Sequence, residues 1–171
     1  WTTREENGQL VFDQIQYVID TLKELKINPN HKNGRRMIVV AWNPGNATIS
    51  KLPPCHYTFA FNVLGNRLNC HLTQRSGDIA LGIPFNLACY SLLTMMLAKE
   101  CGYEVGEFSH TIIDAHIYEN HIEGLKEQLT RKPLKLPKIK IADKPFNELT
   151  FDDIKLEDYE SYPLIKFEVA V

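Results

Sequence analysis

The sequence lacks the cysteine pairs that mark zinc ribbons and redox proteins. It has four cysteines but no Cys-x-x-Cys pair, so neither kind of site is indicated. Three of them lie among apolar neighbours, which predicts buried thiols: Cys70, Cys89 and Cys101. This usage favours a reducing cytoplasm, and we recognise no signal peptide before the first predicted helix.

The sequence also lacks a basic block or a strong excess of charge. Its formal net charge is -2, which argues against a general nucleic-acid or membrane-surface role, so any positive site must be local. The uncharged run at 79–98 has the length of a membrane span. We reject a membrane role because Gly82, Pro84 and Asn86 interrupt the run. A buried helix from about Pro84 to Cys101, stopped by Gly102, fits better.

Helices and strands alternate along what we expect to be a single α/β domain, residues 1–171. With 44% hydrophobic and 23% charged residues, the chain can bury one sizeable core. Gly65-Asn66 predicts a hairpin turn. Hydrophobic spacing predicts helices over 10–25 and from about 116 to 130, strands over 37–42, 57–63, 67–74 and 164–169, and a short strand within 132–145.

Chemistry-bearing residues gather in three short stretches, which are Leu52-Pro53-Pro54-Cys55-His56, Gln74-Arg75-Ser76-Gly77-Asp78 and Pro84-Phe85-Asn86. A cysteine is a nucleophile only as a thiolate, which a cation such as Arg75 stabilises. Taken alone, a cysteine after two prolines is more often a buried hydrophobe. Arg75 and Ser76 suit a phosphate, and Asn86 can pair with a pyrimidine edge. The combination predicts binding of a nucleotide with a uracil-like base.

Three histidines lie near Asp114, but their spacings fit no common zinc pattern, and we predict no metal site. A hydrogen-bonded core position suits His110 and His121. His116 and Tyr118 lie two residues apart, so they share a side if the segment is extended, and both can bind a sugar hydroxyl.

From Arg35 to Val171 the sequence resembles the thymidylate synthase family. The resemblance rests on blocks in family order and spacing: Arg35-Arg36, Ala41-Trp42-Asn43-Pro44, 52–56, 74–78, 81–86, 114–121 and Val169-Ala170-Val171. It implies the family's fold, a mixed twisted sheet packed against a long buried helix, in a homodimer. It also implies that Cys55 attacks C6 of dUMP, so that C5 takes a one-carbon unit from 5,10-methylenetetrahydrofolate to give dTMP.

The resemblance also implies roles for individual residues. Catalysis would involve Cys55, His56, Arg75, Asp78 and Asn86, with His56 supporting the nucleophile through hydrogen bonds. The nucleotide would be bound by Arg75, Ser76, Asp78 and Asn86, by Gln74 near Cys55 at the subunit interface, by His116 and Tyr118 at the deoxyribose hydroxyl, and by Arg35 and Arg36 of the other subunit. The reduced folate would contact Asp78, Leu81, Gly82, Phe85 and Val171.

Three departures from the family pattern, Thr73, Ala80 and Ile113, keep alternatives open. Ile113 stands where the family usually has glycine, so the local backbone or pocket volume should differ. A dUMP hydroxymethylase that adds water in place of hydride is the first alternative. Asn86 disfavours dCMP as its substrate. A nucleotide-binding paralogue without turnover is the second alternative.

The family's N-terminal stretch, which carries an arginine-bearing phosphate loop, is not recognisable here. We therefore expect the chain to be the C-terminal portion of a longer protein. On that expectation, these 171 residues alone are catalytically impaired.

Overall fold

The computed structural model describes residues 1–5, 7–47 and 49–169. Its centre is a four-stranded sheet of β3 (Ile38–Val40), β4 (His56–Leu64), β5 (Arg67–Asp78) and β6 (Glu104–His116), in that order. β4 is antiparallel to both of its neighbours, β3 and β5, whereas β5 and β6 are parallel. The predicted α/β class with a mixed sheet is confirmed.

Helices and two small hairpins complete the chain. The helices are α1 (Gln14–Ile27), α2 (Gly82–Cys101) and α3 (Ile122–Thr130). One hairpin joins β1 (Thr2–Arg4) to β2 (Leu10–Asp13), and the other joins β7 (Lys138–Ile141) to β8 (Ile154–Glu157). The short strand expected within 132–145 is thus β7. No described helix is long and apolar enough to cross a membrane.

The core lies between one face of the sheet and helices α1 and α2. Fully buried side chains come from each part: Leu22, Val39, Phe59, Leu68, Leu72 and Leu97. Burying a side chain of this size contributes about 1.5–3 kcal/mol. The predicted helix is confirmed, although only one face of it is buried. It ends at Gly102, whose φ of 69° gives the left-handed cap that favours glycine.

Gly77 lets α2 approach the end of β5 closely. A Cβ at this position would lie 2.6 Å from Ile83 Cδ1 and 3.0 Å from Ile112 Cγ2, so a larger residue would push the helix away. This close approach places the first turns of α2 beside the side chains that end β5.

Three element predictions need correction. The helix predicted from Leu10 begins at Gln14, because Asp13 caps it by accepting from the N–H groups of Ile15 and Gln16 (2.9 and 3.1 Å), and 10–13 form β2. The helix predicted from His116 begins at Ile122, because β6 continues to His116 in register with Asp78. Residues 164–169 form no strand.

The strands over 57–63 and 67–74 are confirmed and extend further than predicted, and Gly65 in their turn has a φ of 62°. The strand over 37–42 is shorter than expected. Cys70 and Cys101 are buried, and burial raises the pKa of each thiol to about 11. Cys89 was expected to be buried but is exposed, since it lies on the outward face of α2.

Candidate active site

Cys55 lies just before β4, in a loop that Arg75 of β5 holds in place. The Arg75 guanidinium donates from Nε to the Pro54 carbonyl (3.1 Å) and from Nη2 to the Pro53 carbonyl (2.7 Å). Its backbone N–H donates to the Cys55 carbonyl (2.9 Å). The half-buried thiol therefore follows a loop that the Arg75 side chain fixes in place. The sequence suggested a different role for Arg75, as the cation that stabilises the thiolate.

Gln74 is the centre of a polar network on the side of the sheet that α2 covers. Its side chain is only 3% exposed. Nε2 donates to the Ser76 carbonyl (2.8 Å) and to Asn86 Oδ1 (3.0 Å), while Oε1 lies 2.9 Å from His110 Nε2. Because an amide oxygen only accepts, His110 carries its proton on Nε2. Gln74 thus fixes the orientation of both neighbours.

His110 belongs to this site, although the sequence assigned it to the core. It is half-buried, and burial lowers its pKa below the ordinary value, helped by the nearby His56 and His71. Its register partner on β5 is Leu72, two residues before Gln74. Only the parallel pairing of β5 with β6 reveals this proximity, because the two residues are far apart in the sequence.

His56, at the start of β4, packs edge-on against Tyr90 with ring centroids 5.5 Å apart. Burial lowers its pKa, and the Asn86 carboxamide opposes this shift by stabilising the charged ring. His56 and Asn86 are therefore neighbours, as expected of residues that share one network. The ring is mainly neutral near pH 7.

Asp78, Gly82 and Asn86 lie together where β5 ends and α2 begins. A Cβ at Gly82 would lie 3.7 Å from Asp78 Cβ and 3.9 Å from Asn86 Oδ1. Asp78 Oδ1 accepts from the Ala80 N–H (3.0 Å) and fixes the connecting turn. Leu81 precedes α2 within this turn and is half-buried.

Phe85, one turn into α2, is 70% exposed. Its side chain is thus mostly accessible, although it lies next to Asn86 in the sequence. Val171, the last of the residues expected at the folate, lies outside the described residues.

His116 and Tyr118 lie at the same end of the sheet as Asp78. Their rings meet edge-to-face at 5.1 Å, so the shared side expected from an extended segment is confirmed. His116 is the register partner of Asp78, and its carbonyl accepts from the Ile79 N–H (3.0 Å).

Arg35 and Arg36 are not brought to this site within one chain. The Phe61 N–H donates to the Met37 carbonyl (2.9 Å), which places Arg36 beside the far half of β4. That position is roughly 20 Å along the strand from Cys55.

Of the departures, Thr73 and Ala80 are half-buried near this end of the sheet, and Ile113 is 67% exposed on β6. Ile113 has no positive φ; among the described non-glycine residues only Asp158 has one. Ile113 therefore has an ordinary strand backbone, as expected for a β-branched residue that cannot use positive φ without strain.

In the part of the chain that the structure describes, no three His, Cys, Asp or Glu side chains are grouped so that they could hold a metal ion. Several polar groups of the site, namely Gln74, Arg75, Asn86 and His110, are instead bonded to one another or to the backbone.

The sequence is similar to proteins of one known family. The sequence model of the family described as thymidylate synthase matches residues 1–171. A thymidylate synthase of Mycoplasma pneumoniae is 51% identical over 98% of this chain and 56% of its own length, and one of Listeria monocytogenes is 50% identical over 93% and 50%. One of Haloferax volcanii is 41% identical over 96% and 61%. The chain thus spans about half the length of these curated relatives.

Proposed function

This chain belongs to the thymidylate synthase family, and we propose that the protein carrying it converts dUMP to dTMP with 5,10-methylenetetrahydrofolate. One observation carries the proposal. Arg75 ties down the loop of Cys55, and the adjacent residue Gln74 bonds Asn86. A nucleophile and a group that can read a pyrimidine edge therefore lie at the same end of the sheet.

Asn86 would select uracil because Gln74 fixes its carboxamide. With Oδ1 held toward Gln74, the remaining lone pair can accept from uracil N3–H, and the amide N–H can donate to O4. Cytosine presents an acceptor at N3 and a donor at C4, so both contacts would fail. A buried polar group left unpaired costs about 1–3 kcal/mol, which disfavours dCMP.

The nucleotide's phosphate would bind Arg75 and Ser76, and His116 and Tyr118 would bind its sugar. Some N–H groups of Arg75 remain beyond those used by the two proline carbonyls. Arg35 and Arg36 would act from a second copy, because in one chain they lie at the far part of the sheet. The proposed assembly is therefore a homodimer, and the location we propose for it is the cytoplasm.

Cys55 would act as a covalent catalyst. Its thiolate adds to C6 of dUMP, the electron pair moves through C5 to O4, and the Asn86 N–H stabilises the charge on O4. C5 then acts as the nucleophile toward the one-carbon unit. The C5 proton would then be lost, the bond between the one-carbon unit and the folate nitrogen would break, and addition of hydride to the one-carbon unit would let expulsion of the Cys55 thiolate restore the C5–C6 double bond. When bound, the folate supplies the one-carbon unit and the hydride.

The residues at the start of α2 fit a folate. Asp78 offers a carboxylate that accepts ring N–H groups, and the missing side chain at Gly82 leaves room above Asp78 and Asn86. Leu81 and Phe85 offer apolar surface on either side of Gly82. These residues would hold the folate next to the base that Asn86 reads.

Product analysis by mass spectrometry tests the proposal. The full-length protein is mixed with dUMP and methylenetetrahydrofolate while dihydrofolate absorbance is followed. We expect dTMP and dihydrofolate. Hydroxymethyl-dUMP with tetrahydrofolate would instead establish the hydroxymethylase, and dUMP binding without product would establish a binding protein.

A further inference from the structure

His121 lies between Asp78, which belongs to the proposed folate site, and the C-terminal segment. The proposed function gives His121 no role. It is the last residue of the turn Glu119–His121 that leads into α3. Its side chain is fully buried, at 0% exposure. On one side lies Asp78, and on the other lies the C-terminal segment, residues 164–169.

The contacts of His121 with the C-terminal segment are direct. Nε2 lies 2.7 Å from the Glu168 carbonyl oxygen, and since a carbonyl only accepts, Nε2 carries the proton. Asn120 Nδ2 donates to the same oxygen (3.1 Å). The Phe167 ring packs edge-on against His121 at 5.2 Å. Glu168 is thus held by two neighbouring side chains.

The other ring nitrogen faces Asp78. Nδ1 lies 3.8 Å from Asp78 Oδ1, and it forms no hydrogen bond with the described residues although it is buried. Such an unpaired group costs about 1–3 kcal/mol, so its presence calls for an explanation. An apolar residue of the same size would avoid this cost, but it could not donate to the Glu168 carbonyl or present a polar atom to the Asp78 carboxylate.

The segment also lies directly on α3. A Cβ at Gly124 would lie 2.6 Å from Phe167 Cε1 and 3.1 Å from Ile165 Cγ2. The glycine therefore lets the C-terminal segment come close enough for the Glu168 carbonyl to reach His121.

We propose that His121 is a positioning residue that holds the C-terminal segment in register with the Asp78 carboxylate. In the proposed function Asp78 contacts the folate. The inference rests on that proposed function for the identity of the ligand. Glu168 belongs to the last described segment of the chain, so a fixed Glu168 carbonyl holds this segment at a set distance from Asp78. One side chain thereby aligns the Asp78 carboxylate with a segment that is far from it in the sequence.

Three variants of the full-length protein test the role. His121→Asn keeps an amide near the Nδ1 position and loses the Nε2 donor, whereas His121→Gln keeps a donor at the Nε2 position. Asn120→Ala is the matched control, because it removes the other donor to the Glu168 carbonyl but does not face Asp78. The readouts are hydrogen–deuterium exchange of residues 164–169 without ligand, the Kd for tetrahydrofolate with dUMP present, and the KM for dUMP.

For His121→Asn we expect faster exchange in residues 164–169. We also expect a Kd for tetrahydrofolate that is about 3- to 10-fold higher, because one hydrogen bond is lost. The KM for dUMP should stay within about twofold. His121→Gln should restore both readouts. Asn120→Ala should speed exchange but raise the Kd less than His121→Asn does.

Unchanged exchange in His121→Asn, or equal losses of folate and dUMP binding, would overturn the inference. It would also fail if both Asn120→Ala and His121→Asn raised the folate Kd equally at equal exchange. Neither hydrogen–deuterium exchange nor the Kd for tetrahydrofolate requires turnover. If the wild-type protein made no dTMP, the proposed function would be overturned, but these two measurements would still decide the role of His121. If His121→Asn does not fold, the other two variants decide. Wild-type exchange and Kd in His121→Gln, beside faster exchange in Asn120→Ala, would support the role, and faster exchange in His121→Gln would overturn it.

Discussion

At one end of the four-stranded sheet polar side chains are buried and bonded to one another, whereas at the other end they lie at the surface. Gln74 at the first end is almost inaccessible and bonds three groups. At the hairpin end, Lys26 donates to the exposed Asn66 (2.6 Å) and lies over the Tyr103 ring (3.8 Å). Burying polar groups is costly unless all are paired.

The difference indicates what each end does. The hairpin end needs only a turn and surface contacts, and a glycine in a left-handed turn suffices there. The end with Gln74 bears the cost of a buried network, which is justified where a ligand must meet groups of fixed orientation. We therefore propose that binding and catalysis take place at that end.

The largest expected effect separates two cysteines. Replacing Cys55 by Ser should lower kcat/KM by about 10³-fold or more, because a hydroxyl is a much weaker nucleophile than a thiolate. Replacing the exposed Cys89 by Ser should change it less than about twofold. Steady-state kinetics with dUMP measure both, and similar losses in the two variants would contradict the assignment.

A second comparison uses two amide side chains of β5. Gln74→Leu should destabilise the protein by about 2–4 kcal/mol and abolish tight dUMP binding, because it leaves Asn86 and His110 without their partner. Asn69→Ala removes only an exposed bond from the Glu107 N–H (2.8 Å) and should cost about 0.5–1.5 kcal/mol. Denaturant unfolding measures both. Equal losses would mean that the two ends do not differ.

A third comparison uses two arginines of the same strand. Arg75→Lys cannot reproduce the fork that bonds two proline carbonyls and should raise the KM for dUMP about tenfold. Arg67→Lys, at the exposed hairpin end, should leave it within about twofold. A KM that is unchanged in Arg75→Lys would show that Arg75 does not position the nucleotide.

The smallest effect concerns pH. Burial lowers the pKa of His56 and His110 below 6.5 in the folded protein, so the unfolded state binds more protons just below that pH. Their contribution to stability is therefore complete above about pH 6.5 and is lost as pH falls toward the folded pKa values. The double variant His56→Gln, His110→Gln should show a shallower fall in unfolding free energy between about pH 7 and 5.

Ser109→Ala, at an exposed position of β6 that carries no titrating group, serves as the control for this pH series and should keep the wild-type slope. An unchanged slope in the double variant would show that these two half-buried rings do not set the acid dependence.

Local patterns predicted the elements whose contacts are near in the sequence. The Gly65 turn fixes β4 against β5, and the apolar spacing of α2 ends at Gly102, so both could be predicted from short windows. The β6 strand was missed because its partner β5 is parallel and separated from it by a whole helix. For the same reason the helix predicted from His116 began too early.

The site shows the same division. Cys55, Arg75 and Asn86 could be proposed from their chemistry and from the family resemblance. The contact between His110 and Gln74, and the position of His121 between Asp78 and Glu168, depend on how distant elements pack. No sequence window contains these pairs.

The most direct test of the central claim is to locate the covalent nucleotide adduct. A dUMP carrying fluorine at C5 has no proton to lose there, so with methylenetetrahydrofolate the proposed reaction should stop with the nucleotide still bonded to the enzyme. After proteolysis, mass spectrometry should find the adduct on the peptide that contains Cys55, and none in Cys55→Ser. An adduct at Cys89, or none on the wild-type protein, would contradict the account.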